Sequence, residues 1–246
     1  MDEKKKELHD RIMAAKNIVF LGGAGVSTAS GIPDFRSPTG LYNIKNKYGV
    51  SYETMLSASY FYDHTEEFYE FYFDTMVSET AKPNKAHLAL ARFEEKYPHK
   101  SLTIITQNID GLHQDAGSHI VLEAHGTTKK YHCLRCDKPY SLDEIPHKGI
   151  PFCKCGGLIK PDVVLYEEGL DANVIDLSIR ALQKAEVLII GGTSMNVYPV
   201  AGFPRFFNGD TQAIINLAPT FYDDQCDYVF HEDLGKALEE ILLGEE

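Results

Sequence analysis

Residues 18–31 read Ile18-Val19-Phe20-Leu21-Gly22-Gly23-Ala24-Gly25-Val26-Ser27-Thr28-Ala29-Ser30-Gly31. Four apolar residues running into a cluster of glycines predict a buried strand, a tight turn and the start of a helix. Glycines at such a turn let the backbone approach a pyrophosphate, and free amides at a helix start receive its charge. The spacing is not the Gly-x-Gly-x-x-Gly of dehydrogenases, and many strand-to-helix turns hold glycine for steric reasons alone. The continuation Ile32-Pro33-Asp34-Phe35-Arg36 puts an acid, a ring and a cation in succession, which a simple turn does not require.

Outward from this stretch, short apolar runs recur: Leu102–Thr106, Ile120–Leu122, Val163–Leu165, Val187–Ile190 and Ala213–Leu217. Between them, apolar residues spaced by three and four predict helices around Leu88 and Ala91, over Ala172 to Leu182, and at the C-terminus through Leu234, Leu238, Ile241 and Leu242. Glycine-bounded apolar strands alternating with helices imply a buried parallel sheet, hence a doubly wound α/β domain. The 246 residues suffice for one large domain, or one domain carrying a smaller insertion.

Two stretches break the rhythm. Residues 48–73 hold ten of the 27 Phe and Tyr residues, which predicts a small helical unit with an aromatic core. Some of those rings could also wall an apolar channel beside the main site. Residues 126–160 carry four of the five cysteines among turn residues. There Cys133-x-x-Cys136 and, after sixteen intervening residues, Cys153-x-Cys155 present two pairs of thiolates on tight turns, the arrangement a tetrahedral zinc needs. A redox pair is the competing reading. Four sulfurs fill the coordination sphere, so the zinc is expected to be structural. Cys226 stands alone and reads as a small buried apolar residue. Both stretches are expected to sit together over one edge of the sheet.

Further polar clusters follow the predicted strands: Thr106-Gln107-Asn108-Ile109-Asp110, Glu123-Ala124-His125-Gly126, Gly192-Thr193-Ser194, and Asn216. In an open parallel sheet the ligand crevice lies beyond the carboxyl ends of the strands, so these clusters should converge with the glycine loop. Of ten histidines, His125 directly follows a strand and precedes glycine, which makes it the candidate general base.

Taken together, GAGVSTASGIPDFR (23–36), TQNID (106–110), HG (125–126), the four cysteines and GTS (192–194) resemble the sirtuins, NAD-dependent protein-lysine deacylases, in their short bacterial form. The resemblance implies a Rossmann-like NAD-binding domain of residues 1–34, 78–125 and 161–246. The smaller domain would comprise a helical insertion (35–77) and a zinc module (126–160). It implies that Gly23, Ala24, Gly25, Thr28, Asp34, Phe35 and Arg36 hold the diphosphate and cover the nicotinamide side. Gln107, Asn108, Ile109 and Asp110 would fix the ribose and the nicotinamide amide, with Asn108 also counted as catalytic. Gly192, Thr193, Ser194, Asn216, Leu217 and Leu234 would contact the adenosine half. The acyl-lysine oxygen would attack the ribose carbon as nicotinamide leaves, and His125 would act as base toward a ribose hydroxyl. Water would then release lysine and O-acyl-ADP-ribose. The acyl-lysine peptide would add as a strand near Val164, Tyr166 and Val197.

Two departures stand out from the family pattern. Tyr166-Glu167-Glu168 replaces a usual Phe-Gly-Glu, and Glu232 replaces a common glycine at the adenosine end. Relatives that take dicarboxylic acyl groups resemble one another in a Tyr and an Arg three residues apart in the aromatic helix. Aligning Glu67 to Asp74 with that helix puts Tyr72 at the first position and uncharged Thr75 at the second, which implies neutral acyl groups. The competing functions are protein mono-ADP-ribosyl transfer and, from another class, a zinc-ribbon module binding nucleic acid or protein. A formal net charge of −12 disfavours a phosphate backbone as partner. Hydride transfer is disfavoured because the dinucleotide fingerprint and its acidic ribose partner are not in place. With no apolar signal core after Met1 and no long apolar run, the chain is expected to be cytoplasmic, with no membrane partner, and monomeric.

Overall fold

A computed structural model describes residues 2–34 and 49–244, so the expectations for Phe35 and Arg36 fall outside the described residues. Nine strands are present among them. In chain order they are β1 (Asn17–Gly22), β2 (Ser101–Thr106), β3 (Val121–Glu123), β4 (Gly126–Cys133), β5 (Pro139–Ser141), β6 (Ile159–Val163), β7 (Val187–Gly191), β8 (Thr211–Ile215) and β9 (Tyr228–Phe230). Six of them form one sheet in the order β3-β2-β1-β7-β8-β9, with every pairing parallel. The chain steps outward on one side from β1 and on the other from β7. The order therefore reverses between those two central strands, the position at which open α/β sheets bind ligands.

Both faces of the sheet are covered, which is why its strands are continuously apolar rather than alternating. Ile18 and Phe20 of β1 point into a core shared with helices α1 (Glu3–Ala14), α5 (Lys85–Lys96) and α8 (Leu234–Leu238). Val19 and Leu21 point the other way, against Leu182 of α7 (Ala172–Lys184) and Val200 and Phe203 of a 3-10 segment. The period of two along the strand distributes its side chains between the two cores. Asn84 caps α5 by accepting from Ala86 N–H at 2.9 Å, and Asp171 caps α7 through Asn173 N–H at 2.7 Å. No helix among the described residues is long and apolar enough to cross a membrane.

The two irregular stretches build one smaller body. Helices α2 (Tyr52–Met55), α3 (Ala58–Asp63) and α4 (Thr65–Thr75) pack on an antiparallel sheet of order β5-β4-β6. Phe61, Phe68, Tyr69 and Tyr72 from the helices share a single core with Tyr131, Cys133, Cys153 and Ile159 from the sheet and its loops. The Tyr69 hydroxyl donates to the Ile159 carbonyl, satisfying a polar atom within that core.

Two expectations are corrected. The apolar run Val163–Leu165 is not a strand of the parallel sheet. β6 ends at Val163 and pairs antiparallel with β4, because a short apolar run carries no information on strand direction. The glycine loop does not open a long helix. It forms two single 3-10 turns, Ala24–Val26 and Thr28–Ser30, closed by Gly31 at φ 84°. The runs expected at Ile18–Leu21 and Val187–Ile190 are strands β1 and β7, each extending one residue further to Gly22 and Gly191, and β9 is an additional edge strand.

Candidate active site and metal centre

The glycine loop after β1 meets the turn after β7 backbone to backbone. Gly25 N–H donates to the Gly192 carbonyl at 2.8 Å. A Cβ on Gly25 would stand 2.8 Å from Gly192 Cα, and one on Gly23 would stand 2.7 Å from Thr193 Cβ. Neither position accepts a side chain without moving the other loop, so the glycines shape the crevice at the reversal point of the sheet. Gln107, following β2, donates through Nε2 to Thr193 Oγ1 at 3.1 Å and ties the third strand end to this junction. The Asn216 side chain clasps Thr193, accepting its N–H at 2.9 Å and donating to its carbonyl at 3.0 Å. Ala24 and Thr28 open the two turns of the loop, Asp34 follows it, and Ser194 lies exposed on the opposite turn.

Beneath the loop runs a buried polar chain. Asn108 Nδ2 donates to Ser27 Oγ at 3.0 Å, and Ser27 Oγ donates to Asp110 Oδ2 at 2.7 Å. Asp110 Oδ1 then accepts Leu112 N–H at 2.9 Å. His87 Nε2 lies 3.5 Å from the same Ser27 oxygen, and its ring meets His113 edge-on at 4.7 Å. Burial lowers the His87 pKa to about 4 despite the opposing pull of Asp110, and lowers that of His113 to about 3. Both rings are therefore neutral at physiological pH. Sequence reasoning missed Ser27, His87 and His113. Ser27 stood inside the quoted glycine loop, but a serine there reads as ordinary turn chemistry until its partners are known.

His125 links the two bodies, lying between β3 and β4. Its Nδ1 sits 3.0 Å from the Gln107 carbonyl, and a carbonyl can only accept, so Nδ1 carries the proton and Nε2 keeps its lone pair. Burial lowers its pKa from the ordinary value, opposed in part by the bond to Gln107, which favours the neutral base. The His125 carbonyl in turn accepts Val164 N–H at 2.9 Å, so the candidate base and the candidate peptide segment are joined through the backbone. Gly126 follows at φ 76°, and a Cβ there would stand 1.9 Å from the Asp162 carbonyl oxygen. Only glycine permits β4 to approach β6 this closely at its first residue.

Tyr166 is exposed, with Tyr166 N–H donating to Leu56 O and Ala58 N–H donating to Tyr166 O. Val197 is half-buried beside the exposed Tyr198 ring. Leu217 is 79% exposed, whereas Leu234 is buried and packs toward Gly191. Glu232 accepts from the buried ammonium of Lys5 at 2.7 Å, so this departure from the family pattern has a partner within the protein. Ile109 adds its carbonyl to Thr128 N–H at 2.8 Å, fastening the residues after β2 to β4.

The four cysteines gather with all their Sγ atoms within 4.8 Å of one another. Cys133 and Cys155 are 3.5 Å apart, and Cys136 and Cys153 are 3.7 Å apart, far longer than a disulfide. A zinc–sulfur bond of about 2.3 Å in a tetrahedron separates sulfurs by about 3.8 Å, so the cluster fits that ion. Arg135 N–H and Cys155 N–H each point at a sulfur at 3.4 Å, and the Tyr140 hydroxyl donates to Cys153 Sγ at 3.1 Å. The Cys155 amide and, after it, the Tyr140 hydroxyl lower the Cys153 pKa to about 6, which favours its thiolate. Cys226 lies apart from the cluster, half-buried.

An α/β domain with this reversal point, joined to a four-cysteine module by a histidine, defines a family. Residues 23–199 match the profile of the Sir2 family, and the chain belongs to it. An NAD-dependent protein deacetylase of Clostridium acetobutylicum is 49% identical over 243 residues, 98% of each chain, and one of Clostridium perfringens is 48% identical over 98% of this chain and all of that one. A solved Sir2 variant with deacetylated p53 peptide and 3'-O-acetyl ADP ribose superposes with a TM-score of 0.85 at 35% identity, covering 97% of both chains.

Proposed function

We propose that this protein is an NAD-dependent protein-lysine deacetylase that passes the acyl group to ADP-ribose and releases nicotinamide. The observation that carries the reading is His125, kept neutral by burial and set by the Gln107 carbonyl in the tautomer that leaves Nε2 free, where the sheet crevice meets the peptide segment. Bound NAD supplies a ribose carbon that loses nicotinamide and takes the acyl oxygen. Gly23, Ala24, Gly25, Thr28 and Asp34 form the diphosphate side of the crevice, and Phe35 and Arg36, outside the described residues, are assigned to the same role from the sequence alone. Gln107, Asn108, Ile109 and Asp110 orient the nicotinamide ribose, and the Ser27 hub keeps Asn108 and Asp110 in fixed rotamers. Gly192, Thr193, Ser194, Asn216, Leu217 and Leu234 make up the adenosine side. His125 Nε2 takes the proton of a ribose hydroxyl, which a neutral imidazole does at a useful rate near pH 7.

Val164, Tyr166 and Val197 receive the acyl-peptide, whose backbone adds as a strand. Zinc on Cys133, Cys136, Cys153 and Cys155 fastens the module and does no chemistry, because four thiolates leave no open position. The domain division is 1–34, 78–125 and 161–246 for the NAD-binding part and 35–77 with 126–160 for the smaller one. Separate cores on the sheet faces and in the small body support two such parts, although Val163 and Leu165, which follow residue 160, pack in the core of the small body. The enzyme acts as a monomer in the cytoplasm on acetyl-lysine proteins, and a net charge of −12 speaks against nucleic acid as partner.

Mass spectrometry of an acetyl-lysine peptide incubated with NAD tests the reading. Nicotinamide, O-acetyl-ADP-ribose and the deacetylated peptide should appear in equal amounts. NAD consumption with ADP-ribosylated protein and intact acetyl-lysine would overturn deacetylation in favour of mono-ADP-ribosyl transfer.

A further inference from the structure

The segment beyond β6 makes a four-residue turn, Leu165 to Glu168, closed by Glu168 N–H donating to the Leu165 carbonyl at 3.1 Å. Its third residue, Glu167, has φ 75°. That position of a turn favours glycine, and a residue with a Cβ is disfavoured there. The side chain compensates. Glu167 Oε2 accepts Ser59 N–H at 2.9 Å, and Oε1 accepts the Ser59 hydroxyl at 3.1 Å. Ser59 belongs to the first turn of α3, so the carboxylate reaches from the candidate peptide segment to the helical insertion.

Two backbone bonds already join these parts, Tyr166 N–H to Leu56 O and Ala58 N–H to Tyr166 O. Both pass through Tyr166 and form a single parallel bridge opposite Ser57. The carboxylate adds a third point away from that bridge. On its other side the segment is held by Val164 N–H on the His125 carbonyl. Residues 164–167 thus stand between the candidate base and the helical wall, and Glu167 adds a side-chain tie to that wall beside the backbone bridge. Ser59 and Glu167 are both exposed, so little apolar burial depends on their bond.

We propose that Glu167 is a positioning residue for the acyl-peptide. By bonding Ser59 it fixes α3 against the segment on which the peptide adds, and so sets the groove before substrate arrives. This rests on the deacetylase reading for the identity of the substrate.

The test uses Glu167→Gly, Glu167→Gln, Ser59→Ala and the double variant Glu167→Gly with Ser59→Ala. Glycine suits the backbone at φ 75°, so Glu167→Gly removes the carboxylate without adding strain. Binding of a fluorescent acetyl-lysine peptide is read by anisotropy, which needs no turnover, alongside kcat and KM for peptide and NAD. For Glu167→Gly the peptide Kd and KM should rise about fivefold to tenfold, with kcat and the KM for NAD within about twofold. Ser59→Ala, which keeps the backbone donor, should raise the peptide KM about twofold. Glu167→Gln should recover part of the loss, and the double variant should be no worse than Glu167→Gly. Unchanged peptide binding in Glu167→Gly, effects of the two sites that multiply, or a fall in kcat with peptide KM unaltered would each overturn the role. A wild-type protein that binds the peptide but never deacetylates it would refute the deacetylase reading alone, and the Glu167→Gly binding result would still decide the positioning role.

Discussion

Replacing Gly126 by alanine adds one methyl group at the point where the chain leaves the candidate base and enters the small sheet. That methyl would lie 1.9 Å from the Asp162 carbonyl oxygen, and the residue would have to keep φ 76°. A carbon and an oxygen need about 3.2 Å, so one strand must give by more than about 1 Å, beyond what a packed interior absorbs without cost. Forcing alanine into the left-handed region costs about 1–2 kcal/mol, and the overlap adds about 1–3 kcal/mol as for other overpacked sites. A total of about 2–5 kcal/mol is a large share of a domain's stability. Any relief by shifting β6 carries Val164 away from His125, because the two share a backbone bond. A misplacement of about 1 Å at a reacting group costs on the order of 100-fold in rate. Urea unfolding followed by circular dichroism gives the first quantity, and steady-state deacetylation of an acetyl-peptide gives the second. A Gly126→Ala protein with the wild-type unfolding midpoint and wild-type turnover would refute the account of this close approach.

Four further outcomes are expected. His125→Ala should keep the fold and NAD binding, measured by calorimetry, while kcat falls on the order of 100- to 10,000-fold; near-normal turnover would remove His125 from the mechanism. Metal analysis of protein purified without chelator should find one zinc per chain, and Cys136→Ser should lose it together with stability; a zinc-free variant with full activity and an unchanged melting temperature would contradict a structural metal. Acetyl-lysine should be preferred over succinyl-lysine in matched peptides, since no Lys or Arg occurs between residues 49 and 80 to meet a distal carboxylate; equal efficiency would require a cation from elsewhere. Acid should destabilise the protein through His87 and His113. Their folded pKa values lie below the unfolded one, so the stabilisation is complete above about pH 6.5 and is lost as pH falls toward 4. His87 alone withdraws about 3 kcal/mol over that window, and an unfolding free energy flat from pH 7 to 4 would exclude it.

The parallel sheet was legible because strands buried on both faces leave uninterrupted apolar runs, as in Val187–Ile190 and Ile18–Leu21. The small sheet was not. β4 carries exposed Lys129 and Lys130 beside buried Thr127 and Thr128, so its pattern resembles a surface loop until the helical insertion supplies the other half of its core. Val163–Leu165 was assigned to the wrong sheet because pairing partners are fixed by tertiary contacts, not by a three-residue run. The cysteine cluster was readable from spacing alone, since ligand geometry constrains sequence directly. Ser27 was not, because its significance lies in atoms supplied by Asn108 and Asp110, about eighty residues further along the chain.

The pairing of β1 with β7 also governs how the protein can be made. Ile18 lies beside Val187, and the Gly25 amide has no Gly192 carbonyl to bond until residue 192 has left the ribosome. The four cysteines lie between residues 133 and 155, so all of them emerge earlier, along with the aromatic helices that share their core. During synthesis the metal module can therefore close around its ion while β1 still waits for the neighbour on its second edge. A nascent chain stalled before residue 187 would carry a complete small body beside half a sheet, with the inner edge of β1 unpaired and open to the wrong strand.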